Sequence, residues 1–374
     1  MTARTISVDV VRIPTKGPGD VSGLLGLIEA GRIDPRAILA ILGKTEGNGG
    51  VNDFTREFAT AALSSALAPL LGATPHQIEQ RIAFVMSGGT EGVLSPHITV
   101  FTREISNHPG GQGTMAGKRL SIGIAQTRDF LPEEIGRSVQ VAETANAVRA
   151  AMADAGIDDV GDVHFVQIKC PLLTSDRVAE ARGRGQTTTT SSAYGSMGHS
   201  RGASALGVAV ALGEIKADIS DADILKNYDL YSAVASTSAG IELMHNVVIV
   251  MGNSADATSP FVIGHSVMLD AIDYAAVVTA LRSVGLEVAA ARNPISADRL
   301  VNVFAKAEAS PDGTVRGQRH TMLEDTDISS TRHARAAVGG LISGLAGTSA
   351  VYVSGGAEHQ GPPGGGPIAV IARV

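Results

Sequence analysis

Ser87-Gly-Gly-Thr-Glu91 recurs in this chain as Ser238-Ala-Gly-Ile-Glu242 and again as Ser354-Gly-Gly-Ala-Glu358. The shared pattern is Ser-small-Gly-x-Glu. A single copy is no more than a tight turn. Three copies in equivalent surroundings point to an internal repeat, and a repeat decides the architecture before any single element does.

The surroundings match. Strand-like runs lead into each serine: IAFVM (82–86), LYSAVAS (230–236) and SAVYV (349–353). Further apolar runs follow, as HITVF, NVVIVMG and PIAVIARV. Upstream of each motif lies an alanine- and leucine-rich segment with helical spacing. In the first of these, Phe54, Phe58, Leu63, Leu67 and Leu70 approximate one stripe. Each such segment carries an arginine near its start: Arg56, Arg201, and either Arg332 or Arg335. Upstream again, an apolar strand ends in lysine: AILAILGK at Lys44, VHFVQIK at Lys169 and LVNVFAK at Lys306. An earlier helix is visible in the second and third units, through Val141, Ala145, Val148 and Met152, and through Val277, Leu281 and Val284. Each unit therefore reads strand, helix, strand-Lys, Arg-helix, strand-Ser, strand. The order predicts an α/β protein of three similar domains, 1–104, 112–251 and 257–374, joined at NHPGGQG (107–113) and GNSADATSP (252–260).

Composition narrows the function. The 374 residues are 44% hydrophobic, ample for a large core. The net charge of −7 and the lack of a basic stripe exclude nucleic-acid binding as an expectation. Only 3% of residues are aromatic and none is Trp, which disfavours sugar stacking and aromatic cages. With Cys170 alone, neither an internal disulfide nor a cysteine-rich zinc site can form. No apolar run reaches the ~18 residues that span a bilayer, so a soluble, cytoplasmic protein without a membrane partner is expected.

The repeated Ser, Lys and Arg carry the chemistry. Serine attacks only when a neighbouring base takes its proton. Lysine is such a base only when neutral, and burial beside other cations favours the neutral amine. Three Lys/Arg sets round one cavity would supply that setting. The small residues Gly88, Ala239 and Gly355 let the backbone approach a ligand carbonyl, where N–H groups stabilise developing negative charge. Ala239 departs from the glycine of the other copies, and alanine is expected to be tolerated because only its backbone N–H matters. Three equivalent polar sets suit a six-membered ring with alternating C=O and N–H groups. A tight turn with solvated lysines is the bland alternative, and it has no reason to recur with Lys, Arg and Ser in one order.

Other signals are weaker. Gly43-Lys44-Thr45 resembles the end of a phosphate loop, but its first glycine position holds Ile38. GRGQ (183–186) lacks the third glycine of a dinucleotide fingerprint, Thr188 standing there. Cys170 adjoins Lys169 on a strand, so its side chain should point to the opposite face. His199 and His359 lie near motifs but have no counterparts in the other units, and no HExxH pattern suggests a catalytic zinc.

The stretches GKTEGNGGVNDFTR, FVMSGGTEG, VQIKCPLLT, SRGASALGVA, STSAGIEL, RGQRHTM, TRHARAAVGG and SGGAEHQGPPGGGP together resemble the cyclic amide hydrolase family, over nearly the whole chain. The resemblance implies three α/β units about a pseudo-threefold axis, a Toblerone-like fold with a central active site, and a homo-oligomer, usually a tetramer. It implies Ser238 as nucleophile and Lys169 as its base. Ser87 with Lys44 and Ser354 with Lys306 would orient the ring. Arg56 and Arg201 would hold substrate carbonyls, and in the third unit the family pattern favours Arg335 where the internal repeat favours Arg332. No cofactor is implied for catalysis. A structural Mg²⁺ or Ca²⁺ is, on the Glu308 carboxylate and the carbonyls of Ala357, Gly361, Pro362 and Gly365, with Gln360 nearby; oxygen-only ligation suits either ion. The implied reaction opens cyanuric acid to carboxybiuret, which loses CO2 to give biuret. Barbituric acid, opened to ureidomalonate, is the alternative substrate, and a non-catalytic small-molecule binder is the alternative of another class.

Overall fold

The computed structural model of the chain describes residues 3–108, 117–288 and 298–374. Its elements come in three successive sets. The first holds β1 (Ala3–Pro14), α1 (Ser22–Glu29), β2 (Ile38–Thr45), α2 (Phe54–Leu71), α3 (Pro75–Arg81), β3 (Ala83–Gly88) and β4 (His97–His108). The second holds β5 (Arg119–Gln126), α4 (Ser138–Ala155), β6 (Val163–Pro171), α5 (Ser175–Gly183), α6 (Ala193–Ala211), β7 (Ala235–Gly240) and β8 (Val247–Ser254). The third holds β9 (Phe261–Met268), α7 (Tyr274–Ser283), β10 (Leu300–Ala307), a short hairpin of β11 (Thr314–Val315) and β12 (Gln318–Arg319), α8 (Ser330–Ala346), β13 (Tyr352–Gly355) and β14 (Gly366–Arg373).

The strand orders β1-β4-β2-β3, β5-β8-β6-β7 and β9-β14-β10-β13 are one topology repeated three times. In every sheet the lysine strand runs parallel to the serine strand and antiparallel to the last strand. A helical crossover is what a parallel pair requires, and α2, α6 and α8 supply it.

Each sheet buries both faces. The outer faces pack on helices in three separate cores, exemplified by Leu63 and Leu67 on Ile41, by Val148 and Val208 on Ile168, and by Leu281 and Val338 on Val303. The inner faces meet in one central core that draws on all three sheets, with Val8, Phe101, Ile122, Phe165, Phe261, Phe304 and Tyr352 among its members. Phe304 sits at its middle, with ring centroids 6.3 Å from Phe101, 5.5 Å from Phe165 and 5.6 Å from Tyr352. Three like sheets back to back around a shared core, helices outside, is the pseudo-threefold α/β arrangement that the repeats predict. Strand alternation explains both layers at once: successive residues of β6 send Lys169 inward and Cys170 into the helix-side core.

Several local expectations change. The run 230–236 is not all strand. β7 begins at Ala235, because Ser232 is spent on the third unit: its N–H donates to His359 O and its carbonyl accepts from Gly361 N. α6 begins at Ala193, capped by the Ser192 hydroxyl on Gly195 N, so Arg201 lies in mid-helix rather than near the start. In α2, Leu63 and Leu67 are buried, but Phe54, Phe58 and Leu70 are exposed. Phe54 and Leu63 stand roughly 180° apart on the helix, and the buried face instead joins Arg56 and Ala59 to Leu63 and Leu67. β4 runs through His108 and β8 through Ser254, into the segments read as linkers. Residues 109–113 of the first linker lie outside the described residues. Among the described residues no single helix is long and apolar enough to cross a membrane.

Candidate active site

Strand register assembles the centre. Lys44 lies opposite Ser87 in the parallel pair β2–β3, Lys169 opposite Ser238 in β6–β7, and Lys306 opposite Ser354 in β10–β13. Neighbouring strands are about 4.8 Å apart, so each lysine shares its sheet face with a serine on the next strand. All six residues are buried. Lys44 Nζ donates to Ser87 Oγ at 3.3 Å and to Gly88 O at 3.3 Å. Lys306 Nζ donates to Ser354 Oγ at 3.2 Å, to Gly355 O at 3.0 Å and across the unit boundary to Thr237 O at 2.9 Å. The second unit differs. Lys169 Nζ lies 2.7 Å from Glu242 Oε1, an ion-pair contact that is not aligned as a hydrogen bond, and Ser238 Oγ is 3.3 Å from Ser354 Oγ.

The serines face a small cavity that is partly open to solvent. Its lining includes Ser87, Ser238 and Ser354, the backbone at Gly88, Ala239 and Gly355, and one arginine from each unit: Arg56, Arg201 and Arg335. Met86, Met197 and Gly49 complete the wall. A Cβ at Gly88 would lie 1.6 Å from Asp53 Oδ2, and one at Gly355 would lie 2.2 Å from Thr331 Cγ2. Those two glycines are therefore required sterically. The Ala239 methyl finds room in the helix-side core of the second unit. Its carbonyl also has a use that the sequence did not suggest, accepting from Arg56 NH1 at 3.1 Å.

The arginines tie the units into a ring. Arg335 donates through Nε and NH2 to Glu91 at 2.7 and 2.6 Å. Arg201 grips Glu358 in the same way at 2.8 and 2.5 Å. Arg56 reaches from the first unit to Ala239 of the second and also bonds Gly50 O. Bidentate pairing fixes a guanidinium plane and still leaves donors for a ligand. Arg332 stands apart from the cavity lining; its side chain is 40% exposed, against 3% for Arg335, and its Nε donates at 3.1 Å to Glu91 Oε1, the oxygen that also accepts from Arg335 NH2.

Electrostatics follow from burial. Desolvation pushes the Lys44 amine well below the ordinary lysine value, and Arg335 and Lys306 add to it. Burial and Arg201 take Lys306 down to about 7. Burial lowers Lys169 as well, with Arg56 adding and Glu242 opposing. Partial desolvation would raise the carboxyl of Glu242, whose side chain is 42% exposed, but Lys169 and Arg56 hold it down at about 2. Burial raises the Cys170 thiol, which stands on the far face of β6 among Val166, Ile168 and Leu172 and takes no part in the cavity. The Tyr352 hydroxyl is also buried, without a hydrogen-bond partner among the described residues, and burial raises it despite the nearby Ser87 and Ser238.

The sequence placed the serines, lysines and arginines together, and the structure assembles them. What the sequence missed is the work of the motif glutamates. Their recurrence in Glu91, Glu242 and Glu358 was the signal, but their partners lie in other units or other strands. Met86, Met197 and Tyr352 carry no repeated signal at all. His359 turns out to support a loop, its Nε2 accepting from Leu225 N at 2.8 Å and its Nδ1 lying 2.6 Å from Leu230 O.

The residues read as a cation site lie at the end of β10 and in the turn before β14. Burial and the charge of Glu358 raise the Glu308 carboxyl. Among the described residues it has no ion-pair partner; only Ala309 N donates to it, at 3.0 Å. The Ala357 and Pro362 carbonyls each accept one backbone N–H, from Gln360 and Gly365, and keep a second lone pair. The Gln360 side-chain oxygen is taken by Thr237 N at 2.7 Å. Among the described residues no three His, Cys, Asp or Glu side chains gather at one point. A cation here would therefore rest on one carboxylate and on carbonyls, a donor set that fits Mg²⁺ or Ca²⁺.

Comparison with known proteins matches this framework along its whole length. Residues 9–373 match the family described as amidohydrolase ring-opening protein. The chain is 74% identical over 372 residues to a cyanuric acid amidohydrolase of Bradyrhizobium diazoefficiens, covering 99% of each. It is 59% identical to the cyanuric acid amidohydrolase of Pseudomonas sp. (strain ADP), over 98% of this chain and 99% of that one. A solved cyanuric acid hydrolase superposes with a TM-score of 0.93 at 58% identity, over 99% of this chain and all of that one.

Proposed function

The chain belongs to the family of ring-opening amidohydrolases, and on that premise we propose that it hydrolyses cyanuric acid, with Ser238 as nucleophile and Lys169 as base. One observation carries the reading: the serines of three in-register Lys–Ser pairs and one arginine from each unit converge on one cavity. The near-threefold set of donors matches a ring whose carbonyls repeat every second atom.

Lys169 accepts the Ser238 proton in its neutral form, which burial favours. Ser238 Oγ attacks a ring carbonyl carbon, and the adjacent C–N bond breaks. Lys169 returns the proton to the leaving nitrogen, and water then releases the acyl group. The product is carboxybiuret, which loses CO2 to give biuret. Arg56, Arg201 and Arg335 bind carbonyl oxygens, while Ser87 with Lys44 and Ser354 with Lys306 hold the other ring edges. Ser238 and Lys169 close on one another when the ring displaces Ser354 from Ser238, since catalytic hydrogen bonds often tighten only on binding.

Glu308, with the carbonyls of Ala357, Gly361, Pro362 and Gly365, would hold a structural cation that fastens the turn before β14, with Gln360 bracing it. That ion supplies charge neutralisation to Glu308 and no step of the reaction. A homotetramer completes the proposal, read by light scattering.

Loss of ultraviolet absorbance by cyanuric and barbituric acids, followed side by side, tests the reading. Turnover of cyanuric acid alone supports it. Turnover of barbituric acid alone keeps the site and changes the substrate. Turnover of neither refutes it and favours a binding protein.

A further inference from the structure

Two of the three motif glutamates do the same thing, and the third does not. Glu91 clamps Arg335 and Glu358 clamps Arg201, each across a unit boundary. The repeat partner of Glu242 would be Arg56, but Arg56 is spent on Ala239 O and Gly50 O. Glu242 turns to Lys169 of its own unit, 2.7 Å away. The backbone departs from the repeat at the same place. Gly89 and Gly356 adopt φ of 106° and 77°, whereas Gly240 stays in the strand, paired with Pro171. That ladder runs one residue further past its lysine than the ladders ending at Thr45 and Ala307. A Cβ on Gly240 would lie 2.2 Å from Glu242 Oε2, so glycine is what lets this carboxylate fold back. The lysines differ in step: Lys44 and Lys306 bond their own serines, and Lys169 is drawn to the carboxylate.

We propose that Glu242 is a positioning residue that completes a Ser238–Lys169–Glu242 relay and singles out the second of three similar Lys–Ser pairs for chemistry. The inference rests on Ser238 and Lys169 being the reacting pair. The proton passes from Ser238 Oγ to Lys169 Nζ as Oγ bonds to the carbonyl carbon. It passes on to the leaving nitrogen as the C–N bond breaks. Glu242 stays ionised throughout, orients the amine and holds the positive charge while it exists, as a third group orients the base in other activated-nucleophile sites. Lys169 faces Glu242 and Arg56 of α2, with its strand neighbour Cys170 behind it on the opposite face of β6; Glu242 faces Lys169, Arg56 and Arg177 of α5. Glu242 is the one carboxylate in that set, so its loss is not made good by another.

The test measures kcat and KM for cyanuric acid across pH in the full-length parent, Glu242→Gln, Glu91→Gln and Ser238→Ala. Removing the Glu242 charge should lower plateau kcat by about 10–100-fold with KM little changed. It should also move the acid limb to lower pH, because Lys169 loses its stabilising anion. Glu91→Gln should instead raise KM and leave the acid limb in place. If Ser238→Ala is dead and the acid limb of Glu242→Gln coincides with that of the parent, the relay is refuted. A Ser238→Ala enzyme that still turns over, or a parent that does not, overturns the premise itself.

Discussion

Replacing Arg335 by methionine separates the two candidate arginines of the third unit. Its guanidinium is 3% exposed and makes a bidentate bond to Glu91, whose side chain is 10% exposed. NH1 is the nitrogen left over, and it points at the cavity wall: a Cβ built on Gly355 would lie 2.6 Å from it. A hydrogen bond from a charged donor to a substrate carbonyl contributes roughly 1.5–3 kcal/mol. Its loss should lower kcat/KM by about ten- to a hundredfold, mostly through KM. The substitution also leaves the Glu91 carboxylate buried without its main partner, and breaking such a pair from one side costs about 3–5 kcal/mol of stability. Arg332→Met removes only a half-exposed contact, worth about 0–1 kcal/mol, and should leave KM within about twofold. Steady-state kinetics by ultraviolet absorbance, with melting temperatures by calorimetry, read both effects. If Arg332→Met raised KM more than Arg335→Met, or if Arg335→Met left KM unchanged, the assignment of the third carbonyl-binding arginine would be wrong.

Ser238→Ala should lower kcat by on the order of 10⁴–10⁶-fold with an unchanged melting temperature, whereas Ser87→Ala and Ser354→Ala should retain measurable turnover; near-normal kcat in Ser238→Ala refutes the choice of nucleophile. Stability should rise with pH above neutrality. Lys306 is depressed to about 7 in the fold, against about 10.4 in the unfolded chain, so between those values the unfolded state binds the extra proton. The contribution is fully present above the unfolded value and is lost as pH falls through about 7, for a span of roughly 4–5 kcal/mol. Urea unfolding at a series of pH values should show the slope, and Lys306→Met should flatten it; an unaltered slope would count against a neutral Lys306. Glu308→Ala should lower the melting temperature by several degrees and leave kcat within about threefold, and a chelator should lower the melting temperature of the parent but not of the variant. A large kcat loss at constant melting temperature would contradict a structural role for that carboxylate.

The repeat was legible because each unit carries its own copy of the same local instructions. Apolar strands ending in Lys44, Lys169 and Lys306 and turns at Ser87, Ser238 and Ser354 need no knowledge of distant contacts, and they determined the α/β class, the threefold repetition and the residues that face one another in each sheet. The family resemblance added the choice of Ser238 that symmetry could not make. The partners of the motif glutamates were decided only by tertiary structure. Arg335 meets Glu91 and Arg201 meets Glu358 because three sheets pack inner face to inner face and bring separate units within hydrogen-bonding reach. The same packing put Arg335 in the cavity and left Arg332 outside it, which spacing along one helix could not decide. It also pulled residues 230–234 out of the strand, since Ser232 bonds the third unit instead. Local pattern is written in side-chain period and turn chemistry, which a chain carries with it. Partnership across units depends on where the sheets come to rest, and that is settled by the packing of the shared core.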